Sequence, residues 1–238
     1  MTATQVIKKL KLLADPRRAL FSQKFFKTYD GGYAAGDKFL GLTVPAQRVV
    51  AKEHQELPLP EIKKLLESNI HEHRFTALEI LVLQYEKATE VSKRTIVAFY
   101  LKNAKCVNNW DLVDTSAPYI LGDWLIHHDR SVLYTLAKSK SIWDRRIAIV
   151  STHTLIRTNE TIDTLRLAEL LIADEQDLIH KATGWMLREV GKKSLPALTS
   201  FLDQHAKVMP RTMLRYATEK LPKNRRMYYY QAHARKDR

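Results

Sequence analysis

Trp110 and Asp114 stand four residues apart, so a helix through Asn109-Trp110-Asp111-Leu112-Val113-Asp114 places an indole and a carboxylate on one face. That pairing suits a cation, because the ring quadrupole attracts positive charge and the carboxylate offsets it. A carboxylate so placed can also stabilise charge that develops during bond breaking, or orient and partly deprotonate a water. Trp185 lies four residues beyond Lys181, as Asp114 lies beyond Trp110, and faces the way Lys181 does. Arg145 and Arg146 offer guanidinium groups of the kind that hold phosphates. Taken singly, each tryptophan is more readily a core residue, and Asp111 is as readily a first-turn residue favoured by the helix dipole. The constellation is what raises Asp114 above those readings.

Other chemistry-bearing residues lead nowhere. His71-Glu72-His73 and His127-His128 lack the i, i+4 spacing that brings two histidines to one metal, so no metal site is expected. Cys106 has no neighbour that would activate a thiol and reads as a packed side chain.

The elements that must carry these residues are helices. Apolar residues recur at helical spacing past residue 44, as in Phe75, Leu78, Leu81, Val82 and Tyr85. Helices are predicted near 2–14, 45–56, 58–68, 71–87, 90–103, 110–127, 129–139, 141–157, 161–173, 176–191, 194–204 and 210–220, joined by short connections. Residues 28–43, with four glycines, form the clearest loop. Arg74, Trp110, Arg146 and Lys181 are spaced 36, 36 and 35 residues apart, and Arg211 follows 30 later. A two-helix unit repeating at that interval predicts an all-α superhelix of HEAT-like repeats, which sets equivalent positions along one concave, basic groove. The predicted domain spans residues 1–220, followed by a basic, aromatic tail over 221–238 that either frays or adds contacts.

Composition agrees with long helices. Glycine is 7 of 238 residues and proline 8, so chain punctuation is sparse. Lys and Arg number 39 against 26 Asp and Glu, a net charge of +13, which favours polyanionic partners such as nucleic acid or an acidic membrane surface. A single cysteine excludes an internal disulfide framework and fits a reducing compartment. Lys8, Lys9 and Lys11 interrupt the N-terminal apolar run, and no stretch approaches the ~20 residues of a membrane span. The expectation is a cytoplasmic protein without a membrane partner.

Five segments, in order and at compatible spacing, resemble the DNA alkylation repair enzyme family, the AlkD-like alkylpurine DNA glycosylases. They are Gly36-Asp-Lys-Phe-Leu-Gly-Leu-Thr-Val-Pro45-Ala-Gln-Arg48, Asn109 to Asp114, Leu121-Gly-Asp123, Trp143-Asp-Arg-Arg146 and Gly184-Trp-Met-Leu-Arg-Glu189. The resemblance runs from about Phe21 to about Arg215. It implies a superhelix of HEAT-like repeats that hydrolyses cationic N3- and N7-alkylated purines from duplex DNA, in an open groove and with no metal or cofactor. By motif match it implies Asp114 as the catalytic carboxylate, Trp110 and Trp185 against the damaged nucleotide, and Arg146 on a flanking phosphate. Lys181, Arg145, Arg188 and Arg211 are the expected further DNA-backbone contacts, and a monomer suffices. Phe25 or Phe26 stands where the family has an aromatic that reaches the DNA. Two rival readings are a non-catalytic HEAT-repeat binder of structured or damaged nucleic acid and a protein-interaction scaffold with incidental charge.

Overall fold

The computed structural model describes residues 1–234; the last four positions of the expected tail, 235–238, lie outside the described residues. Among the described residues there are fourteen α-helices and no strand, apart from an isolated bridge between Lys38 and Ile70. The chain divides into two compact units, Met1–Ile120 and Leu121–Arg238.

The first unit holds α1 (Ala3–Leu12), α2 (Pro16–Phe25), α3 (Val44–Glu53), α4 (Leu59–Leu66), α5 (His71–Lys87), α6 (Glu90–Lys102) and α7 (Trp110–Ala117). Helix α5 is its centre and packs on α1, α3, α4, α6 and α7. Central placement explains why α5 buries the polar run His71, Glu72, His73 and Arg74 beside Phe75, Leu78 and Leu81. Helix α2 was not expected from apolar periodicity. Asp15 starts it, its carboxylate accepting the N–H groups of Arg17 (2.9 Å) and Arg18 (3.2 Å), with Pro16 in the first turn. It buries only Ala19 and leaves Phe21 and Phe25 68% and 54% exposed.

The long loop before α3 is pinned at its far end. Lys38 N–H donates to Asn69 O (2.9 Å), and His71 N–H donates back to Lys38 O (2.8 Å). The Glu72 carboxylate then accepts the backbone N–H groups of Leu40 (2.9 Å), Gly41 (2.7 Å) and Leu42 (3.3 Å). Gly41 has φ +84°, and a Cβ there would lie 2.2 Å from the Asp15 carbonyl, so both conformation and space demand glycine.

Helix α7 is shorter than the predicted span of 110–127. It ends at Ala117 and passes into a π-helical turn, Pro118–Gly122. Pro118 has no N–H to give the carbonyl of Asp114, so the regular i→i−4 ladder stops there.

The second unit holds α8 (Ser131–Ala137), α9 (Ile142–Arg157), α10 (Ile162–Leu170), α11 (Asp177–Lys193), α12 (Leu195–His205), α13 (Arg211–Ala217) and α14 (Lys223–Ala234). Helix α9 packs on α8, α10 and α11; α11 packs on α10, α12 and α13. Alternate helices therefore stack: α5 on α7 in the first unit, and α9 on α11 on α13 in the second. The positions spaced by about 36 residues fall on these alternate helices. Gly184 sets the α11–α13 approach, since a Cβ there would lie 2.5 Å from Met213 O and 2.6 Å from Tyr216 Cβ. Helix α14 occupies most of the predicted tail, anchored by the Tyr229 hydroxyl on Asp203 (2.9 Å). Among the described residues no helix is long and apolar enough to cross a membrane.

Candidate functional site

In the first unit the site is built on the start of α7. Asn109 is fully buried, and its side-chain oxygen accepts the Trp110 N–H at 2.8 Å, fixing where the helix begins. Trp110 opens α7 and remains partly exposed, with Asp114 one turn further on, also partly exposed. Side chains from the N-terminal segment hold the indole. Phe26 stacks on it (centroids 5.4 Å, interplanar 18°), Phe25 meets it edge-on (6.0 Å), and its Nε1–H donates to the Tyr33 hydroxyl (3.2 Å). Phe21 stacks on Phe25 at 6.2 Å, so an aromatic ladder leads from Trp110 to the exposed face of α2, where Arg17, Arg18 and Lys24 are exposed as well.

A buried charge network supports the same turn. His71 Nε2–H donates to Asp111 Oδ2 at 2.7 Å, while its Nδ1 lies 3.6 Å from Asp37 Oδ2, an ion contact rather than a hydrogen bond. Arg74 binds that Asp37 oxygen at 2.6 Å, and Asp111 Oδ1 accepts the Leu112 N–H at 2.9 Å. The imidazole also stacks on Phe39 (4.7 Å) and meets Phe26 (4.9 Å). Burial pulls the His71 pKa down, but the charge and hydrogen bond of Asp111, with Asp37 behind, outweigh burial and the opposing Arg74. The net shift is upward from the ordinary 6.5. Burial raises Asp37, yet His71 and Arg74 outweigh it and hold its carboxyl below the ordinary 3.8. The three residues of His71-Glu72-His73 thus do three separate jobs: His71 braces α7, Glu72 ties down the loop, and His73 Nδ1 bonds Ser68 Oγ (2.9 Å). Burial, helped by Lys11 and Arg74, lowers the His73 pKa to about 4. Cys106 is half-buried, and burial raises its thiol pKa.

In the second unit Trp185 is partly exposed on α11, against His153 (5.7 Å), which burial and the charges of Arg157 and Lys192 hold below its ordinary pKa despite Glu189. Arg146 is only 5% exposed and its Nη1 donates to Leu178 O at 2.7 Å. Arg145 pairs with Asp174 (2.6 Å) and donates to Ser139 O (2.9 Å) and Lys140 O (3.0 Å). Lys181 pairs with Asp177 (2.8 Å), and Arg188 with Glu219 and Glu189. Arg211 is exposed at the start of α13. Among the described residues, no cluster of three or more His, Cys, Asp and Glu side chains is placed to hold a metal.

Sequence reasoning had no role for Asp37, His71 or Tyr33. The signal for His71 was the four polar residues, His71 to Arg74, that open an otherwise apolar helix; nothing local marks Asp37 or Tyr33.

An all-helical chain with a braced tryptophan–carboxylate turn is the class defined by these features. Its sequence matches the family described as DNA alkylation repair enzyme over residues 6–221, and the chain belongs to that family. In fold it is similar to the solved structure of a predicted DNA alkylation repair enzyme from Enterococcus faecalis. Identity is 18%, the TM-score is 0.69, and the match covers 88% of this chain and 97% of that one. Comparison with curated protein sequences gives no match.

Proposed function

We propose that the protein is a monofunctional alkylpurine DNA glycosylase. It hydrolyses the bond between deoxyribose and a cationic N3- or N7-alkylated purine in duplex DNA. Membership of a DNA alkylation repair family supports DNA as the substrate. The observation that carries the reading is the turn joining Trp110 and Asp114, whose start is fixed by Asn109, Phe26, Tyr33 and the His71–Asp111 bond.

Alkylation at N3 or N7 leaves the purine positively charged, so the base departs as a neutral molecule without being protonated. As the glycosidic bond breaks, its electron pair goes to the base nitrogen and an oxocarbenium-like sugar remains. Water adds at C1′ and loses a proton, giving an abasic site. Asp114 stabilises the sugar cation and orients that water. Trp110 offers its indole to the cationic nucleotide. Trp185 and Arg146, by motif match, contact the DNA, with Arg146 on a phosphate. Lys181, Arg145 and Arg188 reach phosphates by exchanging their present carboxylate partners. Phe21 and Phe25 on α2 face the DNA as well, their ring faces suited to stacking.

Release of 7-methylguanine and 3-methyladenine from methylated duplex DNA tests the reading. Wild type releases both, and Asp114→Asn loses release by about a hundredfold or more while duplex affinity is kept. Duplex binding with no release by wild type would refute the enzyme and leave a non-catalytic binder. Retained release by Asp114→Asn would move the catalytic role elsewhere.

A further inference from the structure

Helix α14 is a docked helix. Its Tyr229 ring joins a core with Leu202, Met209, Met213 and Leu214. His233 Nδ1 lies 3.2 Å from the carbonyl of Ala206. Between α13 and α14 is a cavity of about 310 Å³, lined by Arg211, Leu214, Arg215, Tyr230, His233 and Ala234.

Among the described residues the lining carries two arginines and no carboxylate. Arg211 and Arg215 are one turn apart on α13, so their side chains leave the helix about 6 Å apart, a spacing at which two forked guanidinium groups can take different oxygens of one phosphate. Both are exposed. The Ala206 carbonyl can only accept, so His233 carries its proton on Nδ1 and its Nε2 is the remaining polar atom of the ring. Leu214, Tyr230 and Ala234 add apolar surface beside the charges. The cavity volume is at the lower end of small-molecule sites, enough for one nucleotide and too little for a duplex.

We infer that this cleft binds a nucleoside monophosphate unit, its phosphate on Arg211 and Arg215 and its flat ring against Tyr230. The unit is taken either as a free mononucleotide or as the 5′-phosphorylated end of a strand. The site shares Arg211 with the expected DNA-backbone contacts, and it is tested with undamaged ligands, so its failure leaves the glycosylase reading standing.

The test is calorimetric titration of the full chain with AMP, adenosine, inorganic phosphate and a tetranucleotide with or without a 5′-phosphate. AMP binds at least about tenfold more tightly than adenosine or phosphate, and Arg211→Gln/Arg215→Gln weakens AMP by about tenfold or more with an unchanged circular-dichroism spectrum. Tyr230→Ala weakens AMP and leaves phosphate binding as it was; equal loss of both overturns the ring's part. A phosphorylated tetranucleotide that matches AMP and is displaced by it assigns the site to strand ends, and binding of AMP alone assigns it to free nucleotides. Equal affinity for AMP and adenosine, or a double variant that binds AMP like wild type, overturns the inference.

Discussion

Replacing His71 by phenylalanine isolates the charge network beneath Trp110, because a ring remains to stack on Phe39 and Phe26 while both ring nitrogens vanish. The variant leaves two carboxylates, Asp37 still paired with Arg74 and Asp111 deprived of its imidazole partner. Removing one partner from a buried pair costs about 3–5 kcal/mol. The low end applies, since Asp37 keeps Arg74 at 2.6 Å and Asp111 keeps the Leu112 N–H at 2.9 Å. The expected loss at pH 6 is therefore about 3 kcal/mol, read by urea unfolding, or a Tm lower by roughly 6–12 °C for a chain of this size.

The pH dependence follows from the sign of the shift. The folded pKa of His71 is raised, so its contribution is fully present below the unfolded value near 6.5 and is lost as pH rises through the folded value. Asp37 runs the other way. Its folded pKa is lowered, so its contribution is present above 3.8 and lost as pH falls through the depressed value. The gap between wild type and His71→Phe should be widest between about pH 4 and 6.5 and should narrow by pH 9. Adding Asp111→Asn to His71→Phe should recover part of the loss, because the second substitution removes a charge the first has orphaned. A cost under about 1 kcal/mol at pH 6, or a gap that does not change with pH, would refute the reasoning.

Gly184→Ala should destabilise by about 2 kcal/mol, as overpacking does, because its Cβ meets Met213 backbone rather than a yielding side chain; an unchanged thermal melt would contradict this. Glu72→Gln keeps the shape but puts an amide where three backbone donors converge. It should cost about 2–3 kcal/mol and speed hydrogen exchange at Leu40, Gly41 and Leu42, while exchange at wild-type rates would show that the loop is held by other means. Tyr33→Phe removes the acceptor for the Trp110 Nε1–H. Stability should fall by no more than about 1 kcal/mol while release of 7-methylguanine slows several-fold, and equal release by variant and wild type would deny the hydroxyl its positioning role.

What was legible in the sequence tracks what is buried. Helices α5 and α9 were placed to within a residue because each turns an apolar face into a core, and that face is what periodicity detects. Helix α2 escaped because it buries one alanine and presents its aromatic residues outward, so no periodic core face exists to be read; its only sequence marks are Asp15 and Pro16. Helix α14 was read as a tail for the same reason, with Tyr229 its only buried residue. The overrun of α7 has a different source: apolar periodicity continues past Pro118, while the ring's missing N–H ends the regular ladder there.

The candidate site divides along similar lines. Trp110 and Asp114 could be paired from sequence because one helical turn relates them, and a local rule suffices. The parts that brace them come from 34 to 77 residues away: Asp37 on His71, His71 on Asp111, Tyr33 on Trp110. No spacing rule predicts such contacts. The basic residues make the converse point. Arg145, Lys181 and Arg188 each satisfy a carboxylate of the protein, and Arg146 is buried on a backbone carbonyl. A net charge of +13 counts these side chains as available for phosphate, whereas each must first surrender a partner to reach one; Arg211 and Arg215, in a cleft lined by no carboxylate among the described residues, are the exception, and there the cavity admits a single nucleotide.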